Sequence, residues 1–221
     1  MIQILSVEDI KQAELESYSM GESSNSLIKK AAQSISNYIS LEFPKNTNSN
    51  IVIISGPGNN GNDGILAGCY LATNGFNVTL FRYRNKNLEL PDFVNLEVSE
   101  RQKRKDIEYY EFSDINLFEK QILQKLDSAN IIIDSLLGIG MNRPLSEDLS
   151  KLTNIINNSS SNKNTVISID IPTGINADTG EVYNNKFLEN NKLAVTADVL
   201  LILNYPKEGV FKMPALEYFQ D

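Results

Sequence analysis

An apolar β-branched run, Ile51-Val-Ile-Ile54, stops in Ser55-Gly-Pro-Gly-Asn-Asn-Gly-Asn-Asp-Gly64, and the chain resumes as a helix-like segment, Ile65 to Thr73. A buried strand that turns into a helix through four glycines in ten residues leaves few folds open. Glycine permits positive φ and close backbone approach. The helix start that follows offers unpaired N–H groups to an anion. Gly56, Gly58 and Gly61 match the dinucleotide-binding spacing. An acidic residue is expected about 20 residues further on, at the end of the next strand. Here that strand, Phe76 to Phe81, runs into Arg82-Tyr-Arg84-Asn-Lys86, cations that suit an additional phosphate better than a ribose hydroxyl.

The same grammar recurs downstream. Ala129-Asn-Ile-Ile-Ile-Asp134 ends in Gly138-Ile-Gly140-Met-Asn-Arg-Pro144, and Thr165-Val-Ile-Ser-Ile-Asp170 ends in Pro172-Thr-Gly174. A last strand is expected over Asp198 to Leu203. Continuous apolar runs suit parallel strands covered on both faces. The fold expected is therefore α/β: a three-layer αβα sandwich with a Rossmann-like, mainly parallel sheet in one domain spanning residues 1–221. Helices are expected over Ser6 to Tyr18, Asn25 to Leu41, Asn116 to Leu126 and Leu145 to Asn157. Val94 to Glu100 and Ile107 to Phe112 read as short strands, and Arg101-Gln-Lys-Arg-Lys105 as a solvated turn. Pro44 to Asn50 and Asn85 to Phe93 read as loops.

Composition narrows the chemistry. The net charge of −8 disfavours nonspecific nucleic-acid binding. There is no histidine, so proton transfer falls to carboxylates, lysines, tyrosines or water. The single cysteine, Cys69, reads as core and is compatible with a reducing compartment. No apolar run approaches a membrane span, and Met1-Ile-Gln-Ile-Leu-Ser6 lacks a basic start, so a soluble cytoplasmic protein is expected, without membrane or nucleic-acid partners. The three strand ends carry Asn60 with Asp63, Asp134, and Asp170 with Thr173, all of which should converge on one crevice.

Three ordered motifs, Gly56-Pro-Gly-Asn-Asn-Gly-Asn-Asp-Gly64, Asp134 with Gly138-Ile-Gly140, and Ser168-Ile-Asp-Ile-Pro-Thr-Gly174, resemble those of the NAD(P)H-hydrate epimerases, the YjeF N-terminal domain family. The resemblance extends from the two leading helices to Pro206-Lys207. It implies a homodimeric enzyme that interconverts the R and S epimers of hydrated NADH and NADPH, with a separate dehydratase completing the repair. It further implies a potassium ion held by Asn60, Asp134 and Thr173. Substrate would meet Asn59, Asn60, Gly61, Asn62 and Asp63, the loop Gly138, Ile139, Gly140, Met141, Asn142, Arg143 and Pro144, and Asp170. Asp170 and Asp134 are the carboxylates favoured for proton exchange. Such hard oxygen ligands suit an alkali or alkaline-earth cation rather than zinc. Two positions depart from the family pattern: Asn62 replaces a glycine, which an αL site would tolerate, and Lys29 replaces an acid. A non-catalytic nucleotide-binding or scaffold module of the same fold is the alternative reading.

Overall fold

The computed structural model describes residues 3–43, 49–84, 88–159, 164–183 and 194–220. Pro44 and Lys86 lie outside them. Six strands form one parallel sheet: β1 (Asn50–Ser55), β2 (Asn77–Tyr83), β3 (Ile107–Phe112), β4 (Ile131–Ser135), β5 (Thr165–Ile169) and β6 (Val199–Leu201), in the order β3-β2-β1-β4-β5-β6. This is the doubly wound order, whose direction reverses between β1 and β4 and opens a crevice beyond their carboxyl ends.

Strand alternation sends side chains to two faces. Ile51, Ile53, Leu80, Ile133 and Ile167 pack beneath helices α2 (Ser24–Glu42), α3 (Asn59–Thr73) and α4 (Asp92–Arg104). Val52, Ile54, Phe81, Ile132 and Val166 pack against α5 (Glu119–Asp127) and α6 (Glu147–Ser159). A third cluster at the β6 side joins Val7 of α1 (Val7–Ser19) to Ile171, Ile175, Val210 and Tyr218. The segment ahead of α1 pairs in parallel with the far end of the chain: Leu5 N–H donates to the Pro206 carbonyl (2.9 Å), and Glu208 N–H to that of Leu5 (3.2 Å). Val7 N–H also donates to Asp178 Oδ1 (2.6 Å).

Helix α1 begins in a capping box between Ser6 and Asp9. It ends at Gly21, whose φ of 97° no other residue type adopts easily. Lys29, at the position where an acid was expected, lies exposed with its ammonium 5.1 Å from the centre of the Phe93 ring, tying α2 to α4. Cys69 is buried, and burial pushes its thiol up to about 12, which leaves it inert.

Three expectations are corrected. Val94 to Glu100 belongs to α4 and is not a strand; its buried residues, Val94 and Val98, are one helical turn apart. Arg101 is not a solvated turn residue but closes that helix, bridging Glu97 (2.8 Å) and Asp106 (3.4 Å). The glycine-rich stretch is likewise not an extended loop, because α3 already begins at Asn59. Gly56, Gly58, Gly61 and Gly64 therefore do not take positive φ, and Asn62 is helical rather than αL. At Gly56, Gly61 and Gly64 the glycine requirement is steric, whereas a Cβ on Gly58 would meet nothing within 4 Å. A Cβ on Gly56 would lie 1.8 Å from the Leu136 carbonyl oxygen, and one on Gly61 would lie 1.9 Å from that of Gly56.

These contacts are backbone against backbone and cannot be relieved by a rotamer change. Gly61→Ala is expected to cost about 3 kcal/mol or more, by overpacking at an unyielding site. Gly140→Ala, where a Cβ meets open space, should stay within about 0.5 kcal/mol of the parent. Thermal unfolding of the two variants side by side checks this, at roughly 2–4 °C per kcal/mol for a chain of this size.

Candidate functional site

A cavity of about 890 Å³ runs along the carboxyl ends of the strands, at the upper end of the range for small-molecule sites. The start of α3 supplies Asn59, Asn60 and Asp63. The loop after β4 supplies Gly138, Ile139, Gly140, Met141, Asn142, Arg143 and Pro144. Asp170 lines it from the end of β5. Gly61 and Asn62 are buried behind this wall, and Asp134 and Thr173 lie beneath it rather than on it.

Asp134 is fully buried and accepts four hydrogen bonds. Leu136 N–H (3.2 Å) and Thr173 Oγ1 (2.7 Å) donate to Oδ1, while Ser168 Oγ (2.9 Å) and Thr173 N–H (2.9 Å) donate to Oδ2. Burial raises its pKa, and the Thr173, Leu136 and Ser168 donors oppose the rise. The network continues outward: Leu137 N–H donates to Thr173 Oγ1 (3.1 Å), and Asn60 Nδ2 donates to the Leu137 carbonyl (2.9 Å). One carboxylate thus fastens all three loops together. Its two oxygens are occupied, and it does not line the cavity.

Asp170 sits differently. Its φ of 69° is a left-handed conformation that costs a non-glycine residue on the order of 1 kcal/mol. That turn swings the carboxylate off the strand line and into the cavity. Asp170 Oδ1 accepts from Lys207 Nζ and, more weakly, from Leu203 N–H (3.3 Å). Lys207 is itself buried and also donates to the Leu203 carbonyl (2.7 Å). Asp170 Oδ2 points toward Gly138, where an added Cβ would lie 3.7 Å away. Asn204, next to this pair, is a second left-handed residue on the cavity wall, with φ 56°.

Sequence reading missed Lys207, because its partner lies 37 residues away and nothing local marks the lysine as buried. It also missed Glu14 and Ile10, which α1 brings to the cavity, and Tyr83 and Ser113 at the opposite end. Glu14 is raised in pKa by burial and by Asp170, with Lys207 opposing. Asp63 is pushed up to about 8, first by burial and then by the negative charges of Asp170 and Glu14. Asp63, favoured in its protonated form by burial, and the lysine-held Asp170 therefore share one end of the cavity, an arrangement that acid and base catalysis can use.

Potassium is a fair test of the remaining oxygens. Asn60 Oδ1 is buried with no hydrogen-bond partner among the described residues, and Asp134 is a buried acceptor of four donors with no cationic side chain bonded to it. The unpartnered Asn60 oxygen fits an oxygen-liganded cation, whereas Asp134 would have to share oxygens that four donors already engage. Thr173 Oγ1 already makes two hydrogen bonds, so it would share an engaged oxygen. No group of three or more His, Cys, Asp or Glu suited to a transition metal occurs among the described residues. Nor is any helix there long and apolar enough to cross a membrane.

Comparison with known proteins gives three findings. Residues 24–209 match the family model described as YjeF-related protein N-terminus. The chain is 30% identical over 192 residues to an NAD(P)H-hydrate epimerase of Limosilactobacillus reuteri, covering 87% of this chain and 79% of that one. It is 33% identical over 196 residues to a bifunctional NAD(P)H-hydrate repair enzyme of Dictyoglomus turgidum, where it covers 87% of this chain and spans 34% of the relative. Among solved structures, that of yeast ynu0 superposes with a TM-score of 0.80 at 20% identity, covering 99% of this chain and 86% of the other, which confirms the fold.

The raised pKa of Asp63 has a consequence for stability. The folded state holds a proton that the unfolded chain releases near the ordinary aspartate value of 3.8, so the contribution of Asp63 is fully present below that pH and is lost as pH rises toward about 8. Asp63→Asn should therefore gain stability relative to the parent as pH increases across this window, by on the order of a few kcal/mol. Denaturant unfolding of both proteins at pH 5 and pH 8 measures the difference.

Proposed function

The chain belongs to the YjeF-related N-terminal family, and from that premise we propose that it is an NAD(P)H-hydrate epimerase, interconverting the R and S epimers of hydrated NADH and NADPH. The observation that carries this reading is the placement of the buried Asp63 carboxyl, whose pKa burial pushes up to about 8, beside the lysine-held Asp170 at one end of a dinucleotide-sized cavity.

The reacting carbon carries a hydroxyl beside a ring nitrogen. When the C–O bond breaks, the oxygen leaves with both electrons as water if a proton reaches it, and the nitrogen lone pair delocalises the positive charge left on the ring. Asp63 holds the proton that the departing hydroxyl needs. Asp170, with Oδ2 open to the cavity, stabilises the ring cation. Water then adds to the other face and returns its proton to the same carboxyl cluster. Lys207 holds Asp170 in its left-handed pose. The uncapped start of α3, at Gly58, leaves N–H groups available to substrate phosphate.

A potassium ion held by Asn60 and Asp134, with Thr173, would supply the counter-charge that the buried carboxylate lacks and fix the loops it joins. A homodimer and a separate dehydratase that consumes the S hydrate complete the reading; sedimentation of the purified chain tests the former.

The decisive experiment adds the protein to mixed hydrates together with a dehydratase specific for the S form. Disappearance of the R form must accelerate; an unchanged rate leaves a nucleotide-binding module. Asp170→Asn is expected to slow epimerisation by about 10²–10³, the usual effect of losing an electrostatic stabiliser, and to lower the melting temperature as well, because it leaves the buried Lys207 ammonium without its partner; turnover is therefore compared per folded molecule. Replacing potassium by tetramethylammonium should lower both the rate and the melting temperature, whereas Asn60→Ala should make the melting temperature insensitive to that exchange.

A further inference from the structure

The cavity is charged unevenly along its length. Asp170, Asp63 and Glu14 gather round Lys207 at the β5 and β6 end, while Arg84 stands at the end of β2. In folds with this strand order, the residue at the end of β2 faces the adenosine ribose: an acid reads a free 2′-hydroxyl, and an arginine accommodates a 2′-phosphate.

Of the two arginines there, Arg82 is not available. It is 1% exposed, paired with Glu111 (2.7 Å) and bonded to the Leu88 carbonyl (2.7 Å). Arg84 is different: it lines the cavity with its side chain 39% exposed. Its guanidinium touches Glu111 at 3.3 Å and holds Glu89 at 2.5 Å, while its Nε is buried with no partner among the described residues. Glu111 engages Arg82 and the Tyr109 hydroxyl (2.8 Å) through Oε2, leaving Oε1 for the longer contact with Arg84. Glu89 is 74% exposed and pairs among the described residues with Arg84, so it stands as a displaceable anion in the fork of Arg84. A phosphate offers the same fork more oxygens and more charge than a carboxylate does.

We infer that Arg84 recognises a ribose 2′-phosphate, exchanging Glu89 for it, so that the site favours the hydrate of NADPH over that of NADH and binds with the hydrated ring at the Asp170 end. The preference rests on the epimerase reading above; the phosphate site itself does not. The Tyr83 ring and Leu149, which line the same end, offer apolar surface for the base.

Two measurements separate the claims. Calorimetric binding of adenosine 2′,5′-bisphosphate and adenosine 5′-monophosphate tests the subsite without turnover. The parent should favour the bisphosphate at least tenfold, Arg84→Ala should abolish that ratio, and Arg84→Lys should retain part of it. Glu89→Gln should strengthen bisphosphate binding severalfold by removing the competitor. Arg143→Ala should weaken both probes alike. Equal binding of the two probes by the parent, or a ratio that depends on Arg143 instead of Arg84, overturns the inference. With the coupled assay, the ratio of kcat/KM for the two hydrates should fall at least tenfold in Arg84→Ala. If the parent epimerises neither hydrate yet binds the bisphosphate through Arg84, the epimerase reading fails and the subsite stands. Equal loss on both hydrates sinks the subsite and leaves the epimerase.

Discussion

The buried carboxylate of Asp134 is the constraint on which the site depends. An ion taken wholly out of water carries a penalty of several kcal/mol, and four donors aimed at its two oxygens offset much of it. Because those donors come from the loop after β4, from β5 and from the turn beyond it, satisfying the charge fixes three pieces of backbone at once. Through Thr173 and Leu137 the constraint reaches Asn60 and hence the first turn of α3. The cavity wall is the outer surface of this network.

Above that floor, chemistry is set by how one cation is shared. Lys207 bonds Asp170 directly, while Glu14 and Asp63 stand close enough to feel the same charges. With three carboxyls and one ammonium in a half-buried corner, full ionisation is unfavourable, and the proton settles on the most buried carboxyl not bonded to the lysine. That group is Asp63. The same motif that the sequence marks as a nucleotide loop thus also delivers an acid.

The parallel sheet, its strand ends and the convergence of Asn60, Asp63 and Asp170 were legible because β-branched runs ending in Gly and Asp carry their meaning locally. Helix α4 was not legible: Val94 and Val98 are its buried residues, and a stretch so poor in apolar positions acquires its conformation from packing on α3 and from the Glu97–Arg101 pair. The glycines were read correctly as special but for the wrong reason, since carbonyl oxygens below 2 Å from a would-be Cβ are tertiary facts that no local pattern contains. Lys207 and Glu14 escaped for a related reason: each is an ordinary charged residue until the fold removes water from around it.

The parallel pairing of Leu5 with Lys207 joins segments some two hundred positions apart along the chain. Contacts of such sequence separation carry a large loop-closure entropy and form slowly relative to local ones. The Asp170–Lys207 pair spans only 37 positions and does not share that cost. What the distant pairing adds is α1, which carries Ile10 and Glu14 to the cavity, so the wall on that side is the part of the site whose closure costs the most chain entropy.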